Sequence, residues 1–151
     1  MAIKESMDRI VGIDTMVFIY HVEEHPVYCR ITESFFDAVE KGRHTAVTSV
    51  ITLLEMLVKP KIENNPEAVK DYRDTLLTFP NLKILDVDMR VSDTASDLRA
   101  KYNIRTPDAI QIATAILAGA GTFLTNDESL KRVREIKVSL LEDMLRKAKK
   151  D

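Results

Sequence analysis

The sequence has one cysteine, no excess of positive charge and no apolar run long enough to cross a membrane, and each shortage narrows the possible functions. Cys29 alone excludes an internal disulfide and fits a reducing compartment, so we expect a cytoplasmic protein. A net charge of −2 provides no overall basic surface for nucleic acid, so any contact with a polyanion must be local. The uncharged run at residues 109–125 is shorter than the ~20 apolar residues of a transmembrane helix, so no membrane association is predicted.

The composition is that of one globular domain. The chain has 151 residues, of which 45% are hydrophobic and 30% charged, which is enough apolar material for one buried core. We predict a single domain with its core at about residues 10–140 and a C-terminal frayed helix or tail at residues 141–151. The N-terminal charges are followed by no apolar block, so no secretory signal is expected.

Short apolar runs alternate with segments of helical periodicity along the chain. The predicted strands are residues 9–13, 44–48, 82–85, 122–125 and 136–140. This alternation predicts an α/β fold with a mostly parallel central sheet. In such sheets the functional crevice lies outside the carboxyl ends of the strands.

Two of the predicted strands end within two residues of an acid. Asp14 follows the first strand, and Asp127 follows the strand at residues 122–125. Since carboxyl ends of parallel strands meet at one edge, both acids are expected in the same crevice.

A third acid, Asp108, begins the helix predicted at residues 106–119. Thr106 is suited to cap this helix, Pro107 to occupy its first position and Gly119 to end it. The positive end of the helix dipole would favour the ionised form of Asp108. The alternative is that Asp108 only stabilises the start of the helix.

The fourth acid, Glu55, lies on a predicted helix that Pro60 should end. It falls between Ile51 and Val58 on a face that is otherwise apolar, and a buried carboxylate needs a partner. The alternative is a capping box in which Thr52 caps the helix and Glu55 reciprocates. The buried stripe of this helix is predicted to consist of Val50, Leu54, Leu57 and Val58.

Convergence of four acids points to a bound cation. Carboxylates that lie a few ångströms apart repel and raise one another's pKa, whereas Mg²⁺ or Mn²⁺ accepts oxygen ligands and neutralises them. The four are Asp14, Glu55, Asp108 and Asp127. With no nucleophile and base pair nearby, this cluster suggests metal-assisted hydrolysis of a phosphodiester.

Four segments together resemble the PIN-domain family, over about residues 10–140. They are Ile-Val-Gly-Ile-Asp14-Thr, Leu-Leu-Glu55-Met-Leu, Arg-Thr-Pro-Asp108-Ala-Ile-Gln-Ile-Ala-Thr-Ala and Phe-Leu-Thr-Asn-Asp127. A stand-alone chain of this size resembles the VapC toxins of that family. The resemblance implies a three-layer α/β/α sandwich and a Mg²⁺- or Mn²⁺-dependent ribonuclease. It also implies a homodimer and a cognate antitoxin protein that lies across the acidic crevice.

The resemblance also implies roles for individual residues. Asp14, Glu55, Asp108 and Asp127 would be catalytic metal ligands, direct or through water. Thr15, Thr125 and Asn126 would support those ligands or contact the scissile phosphate, and Arg105 would hold the RNA backbone unless it is simply solvated.

The sequence differs from the family pattern at one position, and two other functions remain as alternatives. Many family members have a polar residue where this chain has Met16, so a hydrogen bond that supports Asp14 is expected to be missing. A structure-specific DNA nuclease of the same fold is one alternative, and a non-catalytic PIN-like module that binds RNA or protein is the other. The four acids argue against the module, because a scaffold gains nothing from a repulsive cluster.

Overall fold

The computed structural model describes residues 8–150, so the charged N-terminal segment up to residue 7 and Asp151 lie outside the described residues. The strands are β1 (Ile10–Ile13), β2 (Thr45–Ser49), β3 (Leu82–Leu85), β4 (Thr122–Thr125) and β5 (Lys137–Leu140). The helices are α1 (Thr15–Val22), α2 (Cys29–Glu40), α3 (Val50–Ile62), α4 (Pro66–Thr78), α5 (Met89–Tyr102), α6 (Thr106–Leu117) and α7 (Leu141–Lys150). A 3₁₀ helix, Glu128–Arg132, joins β4 to β5.

The five strands form one parallel sheet in the order β3-β2-β1-β4-β5. The first strand of the chain is therefore central, with β2 and β4 on its two sides. The predicted α/β fold with a mostly parallel sheet is confirmed. Each strand lies within a residue of its predicted bounds. The central strand β1 shows why, because a parallel strand buried on both faces is a continuous apolar run.

Helices cover both faces of the sheet and create two apolar cores. In β4, Leu124 contributes to the core on one face and Phe123 to the core on the other. Helices α1, α2, α3, α4 and α7 supply the first core, and α5 and α6 supply the second. Gly12 of β1 permits α6 to pack closely, since a Cβ built at Gly12 would overlap the side chain of Ala115.

Helix α3 departs from the prediction in two ways. Pro60 does not end it but lies buried in its last turn, so the helix continues to Ile62. The predicted apolar stripe is also wrong, because Leu54 is 60% and Val58 47% exposed. Of the predicted stripe Leu57 is buried, and beside it the side of α3 that faces the core presents Thr52 and Met56.

The C-terminal residues of the described chain form a regular helix. Leu141, at the start of α7, is fully buried in the first apolar core. None of the helices within residues 8–150 is long and apolar enough to cross a membrane.

Candidate active site

Asp14 lies at the carboxyl end of the central strand and begins α1 as its N-cap. Its Oδ1 accepts a hydrogen bond of 2.8 Å from the backbone N–H of Thr15, and its Oδ2 accepts one of 2.7 Å from the Thr125 hydroxyl. The residue is only 6% exposed. Both oxygens are thus held in place by residues that directly follow β1 or end β4.

Burial makes the ionised form of Asp14 unfavourable. The pKa of Asp14 is raised to about 6, and burial is the largest cause. The negative charges of Asp108 and Glu55 also raise the pKa, while the hydrogen bonds from Thr125 and Thr15 lower it. Three of the four predicted acids are therefore close enough to interact electrostatically.

Asp108 lies in the first turn of α6 and is 7% exposed. Its Oδ2 accepts a hydrogen bond of 3.1 Å from Nε of Arg105. Arg105, not the predicted Thr106, occupies the N-cap position. A guanidinium cannot accept a cap bond from a backbone N–H, and Arg105 instead donates to Asp108. That pairing raises the pKa of Arg105, and the charges of Asp127 and Glu55 act in the same direction.

Glu55 reaches the crevice from the exposed side of α3. The predicted burial of this residue is wrong, but its Oε1 accepts a hydrogen bond of 2.8 Å from the Thr15 hydroxyl. The capping-box alternative is also excluded, because Ser49 is the N-cap of α3 and its hydroxyl oxygen accepts a hydrogen bond from the Ile51 N–H. Glu55 is therefore anchored to the residue that follows Asp14.

Asp127 follows β4 and caps the 3₁₀ helix. Its Oδ1 accepts hydrogen bonds from the backbone N–H and the hydroxyl of Ser129, at 3.0 and 2.7 Å. Its own N–H donates to the Thr125 hydroxyl at 3.1 Å. Thr125 consequently links Asp127 to Asp14, since the same hydroxyl donates to Asp14.

Asn126 and Met16 form a separate connection beside these acids. The Asn126 Oδ1 accepts from the Glu142 N–H at 3.0 Å, so its side chain joins the end of β4 to the start of α7. The Asn126 N–H donates to the sulfur of Met16 at 3.2 Å. Met16 therefore supports the turn after β4 and, as the sequence predicted, provides no hydrogen bond to Asp14, whose two oxygens are held by Thr15 and Thr125.

The carboxylate oxygens suit a hard cation, but they are not arranged around one. No group of three or more His, Cys, Asp or Glu side chains within residues 8–150 is placed so that it could hold a metal ion. Asp108 is bound to Arg105, and Asp127 to Ser129. The donor chemistry and the mutual repulsion fit Mg²⁺ or Mn²⁺, and a shared ion requires some of these carboxylates to leave their present partners.

A buried polar network behind the acids was missed by the sequence prediction. Gln111 of α6 is 2% exposed and hydrogen-bonds to Thr15 and Thr52 through its amide nitrogen. The available signal was a single amide within Ile-Gln-Ile, three residues after Asp108 on a helix that is otherwise apolar.

Comparison with known proteins gives a family and several similar folds. The sequence matches the PIN domain over residues 11–136. The fold is similar to a chain of VapBC2 from Rickettsia felis bound to a promoter DNA fragment, with a TM-score of 0.70, 21% identity and coverage of 87% of this chain and 98% of that one. It is also similar to a chain of DNA-bound VapBC from Salmonella typhimurium, with a TM-score of 0.68, 20% identity and coverage of 89% and 99%.

A further similar fold occurs in a toxin–antitoxin complex from Klebsiella pneumoniae, with a TM-score of 0.67, 21% identity and coverage of 89% of this chain and 98% of that one. No curated protein matches the sequence. The family match covers most of the chain and includes Asp14, Glu55, Asp108 and Asp127. With its parallel sheet and the acids along one edge, the chain belongs to the PIN-domain family.

Proposed function

We propose that the chain is a Mg²⁺- or Mn²⁺-dependent endoribonuclease and the toxin of a type II toxin–antitoxin pair. The observation that carries this proposal is the electrostatic state of Asp14. This carboxylate is buried at the edge of the sheet, and the charges of Asp108 and Glu55 disfavour its ionised form. A divalent cation would turn that repulsion into attraction.

The proposed ligands of the ion are Asp14, Glu55, Asp108 and Asp127, directly or through water. When bound, the ion would activate a water molecule and stabilise negative charge on the phosphate. Thr15 and Thr125 hold the two oxygens of Asp14 and so fix its orientation. Arg105 has an exposed side chain beside Asp108, from which it can reach a phosphate of the RNA backbone.

We further propose that the protein works as a homodimer in the cytoplasm and is inhibited by a cognate antitoxin. The support comes from the fold, since the similar solved structures from Rickettsia felis and Salmonella typhimurium are VapBC assemblies and the one from Klebsiella pneumoniae is a toxin–antitoxin complex. A short reading frame that precedes and overlaps this one is the expected source of the antitoxin. Light scattering of the purified chain should give the mass of two copies.

RNA digestion tests the proposed activity directly. Purified protein should cleave single-stranded or looped RNA with Mn²⁺ and lose this activity in excess EDTA. Asp14→Asn should abolish cleavage, whereas Asp71→Asn, which removes an exposed acid from α4, should leave it unchanged. Undiminished cleavage in EDTA would exclude the metal mechanism.

The same assay separates the other two functions. Cleavage of flapped DNA but not of RNA would assign the site to a structure-specific DNA nuclease. RNA binding without cleavage in Mg²⁺ or Mn²⁺ would make the protein a non-catalytic module.

A further inference from the structure

We propose that Gln111 is a positioning residue whose buried amide directs the Thr15 hydroxyl outward to Glu55. The proposal rests on the proposed function, because it assigns Gln111 to the support of a metal-binding carboxylate. Within residues 8–150, Gln111 forms no hydrogen bond to any of the four acids, and its link to Glu55 passes through the Thr15 hydroxyl. The hydrogen bonds around the amide determine which way each hydrogen points.

The orientation of the Gln111 amide is fixed by a backbone group. Its Oε1 accepts from the N–H of Ser49 at 3.2 Å, and from the hydroxyl of Thr48 at the same distance. A backbone N–H can only donate, so the oxygen of the amide must face Ser49. The amide nitrogen is then forced to the opposite side, toward α1 and α3.

The amide nitrogen uses both of its hydrogens on threonine hydroxyls. Nε2 donates to Oγ1 of Thr15 at 3.1 Å and to Oγ1 of Thr52 at 2.8 Å. Both hydroxyls must therefore accept from Gln111, and each keeps one hydrogen to donate elsewhere. Thr52 has the Thr48 oxygen at 2.7 Å as an acceptor for its hydrogen.

The hydrogen of Thr15 has two possible acceptors. They are Glu55 Oε1 at 2.8 Å and Thr52 Oγ1 at 3.0 Å. A carboxylate accepts more strongly than a neutral hydroxyl, and the Thr52 oxygen already accepts from Gln111, so the Thr15 hydrogen goes to Glu55. The direction set at Ser49 is thus transmitted through Gln111 to the crevice.

The hydrogen bond from Thr15 restricts the conformation of the Glu55 side chain, which its exposed position would not do. The residue is exposed on α3, and a long solvated side chain retains many rotamers. The Thr15 hydroxyl holds its carboxylate close enough to Asp14 to act on the pKa of that residue. Gln111 also lies one turn after Asp108 on α6, so a single amide joins the helices that carry three of the acids.

Mn²⁺ titration of matched variants tests the inference. Gln111→Met keeps the length of the side chain but cannot donate, and Thr15→Val removes the hydroxyl itself. Each should weaken Mn²⁺ binding about 10-fold, as loss of a group that supports a metal ligand typically does. The double variant should be no weaker than either single one, because both remove the same contact. Thr114→Val, a change at another buried threonine of α6, should bind Mn²⁺ like the parent.

Full Mn²⁺ affinity of a folded Gln111→Met protein, or additive losses in the double variant, would overturn the inference. If Gln111→Met does not fold, Gln111→Asn makes the same comparison, since it keeps a buried neutral amide that is one methylene too short to hold its contacts to both Ser49 and Thr15. Crystal structures of the metal-free parent and variant test the same contact, between Thr15 and Glu55, without any metal. Loss of the contact between Thr15 and Glu55 supports the inference, and its retention refutes it.

The crystal structures separate the positioning role of Gln111 from the proposed metal-dependent function. A parent that binds no Mn²⁺ would refute the proposed function. The role of Gln111 in positioning Glu55 would still be decided by the contact seen in the two crystal structures.

Discussion

Asp14→Asn is predicted to stabilise the metal-free protein at neutral and alkaline pH. Burial and the neighbouring carboxylates raise the pKa of Asp14 to about 6. At about 1.4 kcal/mol per pH unit, the difference from an ordinary value near 4 corresponds to about 3 kcal/mol of stability lost when the group ionises. Asparagine cannot ionise and so avoids this cost, which in a domain of this size should raise the melting temperature by roughly 6–12 °C.

The asparagine side chain can keep both hydrogen bonds of Asp14. Its oxygen can accept from the Thr15 N–H, as Oδ1 of Asp14 does. Its amide nitrogen can donate to the Thr125 hydroxyl, which rotates its own hydrogen away. The variant therefore differs from the parent chiefly in charge.

The sign of the effect can be followed with pH. The folded protein holds the Asp14 proton more tightly than the unfolded chain does, so this contribution to stability is fully present below pH about 4 and is lost as pH rises through about 6. Melts in EDTA should show parent and variant nearly equal at pH 4 and separated by the full amount above pH 7.

Asp71→Asn is the matched control, because Asp71 is an exposed acid on α4. It should change the melting temperature little at any pH. A difference between Asp14→Asn and the parent that is the same at pH 4 and pH 8, or a variant that is less stable at pH 8, would refute the electrostatic account of the site.

Changes elsewhere have equally definite expected results. Gly12→Ala should cost about 1–3 kcal/mol in urea denaturation, because the new Cβ would overlap Ala115 of α6, and an unchanged midpoint would contradict this packing. RNA affinity should fall only gently with salt, since the net charge is −2. A log–log slope as steep as about −4, which corresponds to six phosphate contacts with a single strand, would contradict a small local contact. Asp108→Asn should raise the melting temperature in EDTA less than Asp14→Asn does, because Arg105 already offsets the charge of Asp108. An equal rise in melting temperature for the two variants would argue against the ion pair between Arg105 and Asp108.

The strands and the acids at their ends were predictable because their signals are local. A strand buried on both faces is an unbroken apolar run, and Asp14 and Asp127 stand where two such runs stop. The edge of a parallel sheet then brings together residues that are far apart in sequence. The match to the PIN-domain family over residues 11–136 supports the predicted fold independently of hydrophobic periodicity.

The inner face of α3 was not predictable because polar residues line it. Counting apolar residues placed Leu54 and Val58 inside, yet both are exposed, while Thr52 is fully buried. Thr52 is satisfied there by Gln111 and Thr48, which come from other elements of the fold. Helical periodicity cannot detect a buried hydroxyl whose partners lie outside its own helix.

The orientation of individual side chains also depended on partners that the sequence pattern did not identify. Met16 was expected to give Asp14 no hydrogen bond, and its sulfur instead accepts one from the Asn126 N–H, a partner that the sequence did not indicate. Thr106 was expected to cap α6, yet Arg105 holds that position and uses its side chain on Asp108. In each case the sequence indicated the neighbourhood of the residue but not its partner.

Arg105→Gln distinguishes two roles that the structure gives to one side chain. Arg105 pairs with Asp108 while its side chain is 77% exposed, so it can shield that acid or contact RNA. If it shields Asp108, the variant should melt at most about 4 °C lower in EDTA, as befits an exposed ion pair. Mn²⁺ should then stabilise the variant more than the parent, because the ion relieves a larger repulsion.

If Arg105 also contacts RNA, the same variant should raise KM and leave kcat unchanged, since an interaction of equal strength in the bound and transition states has been lost. Arg134→Gln is the matched control, because it removes another exposed arginine and should change neither the Mn²⁺ response nor KM. A variant with an unchanged melting temperature, Mn²⁺ response and KM would show that Arg105 is simply solvated.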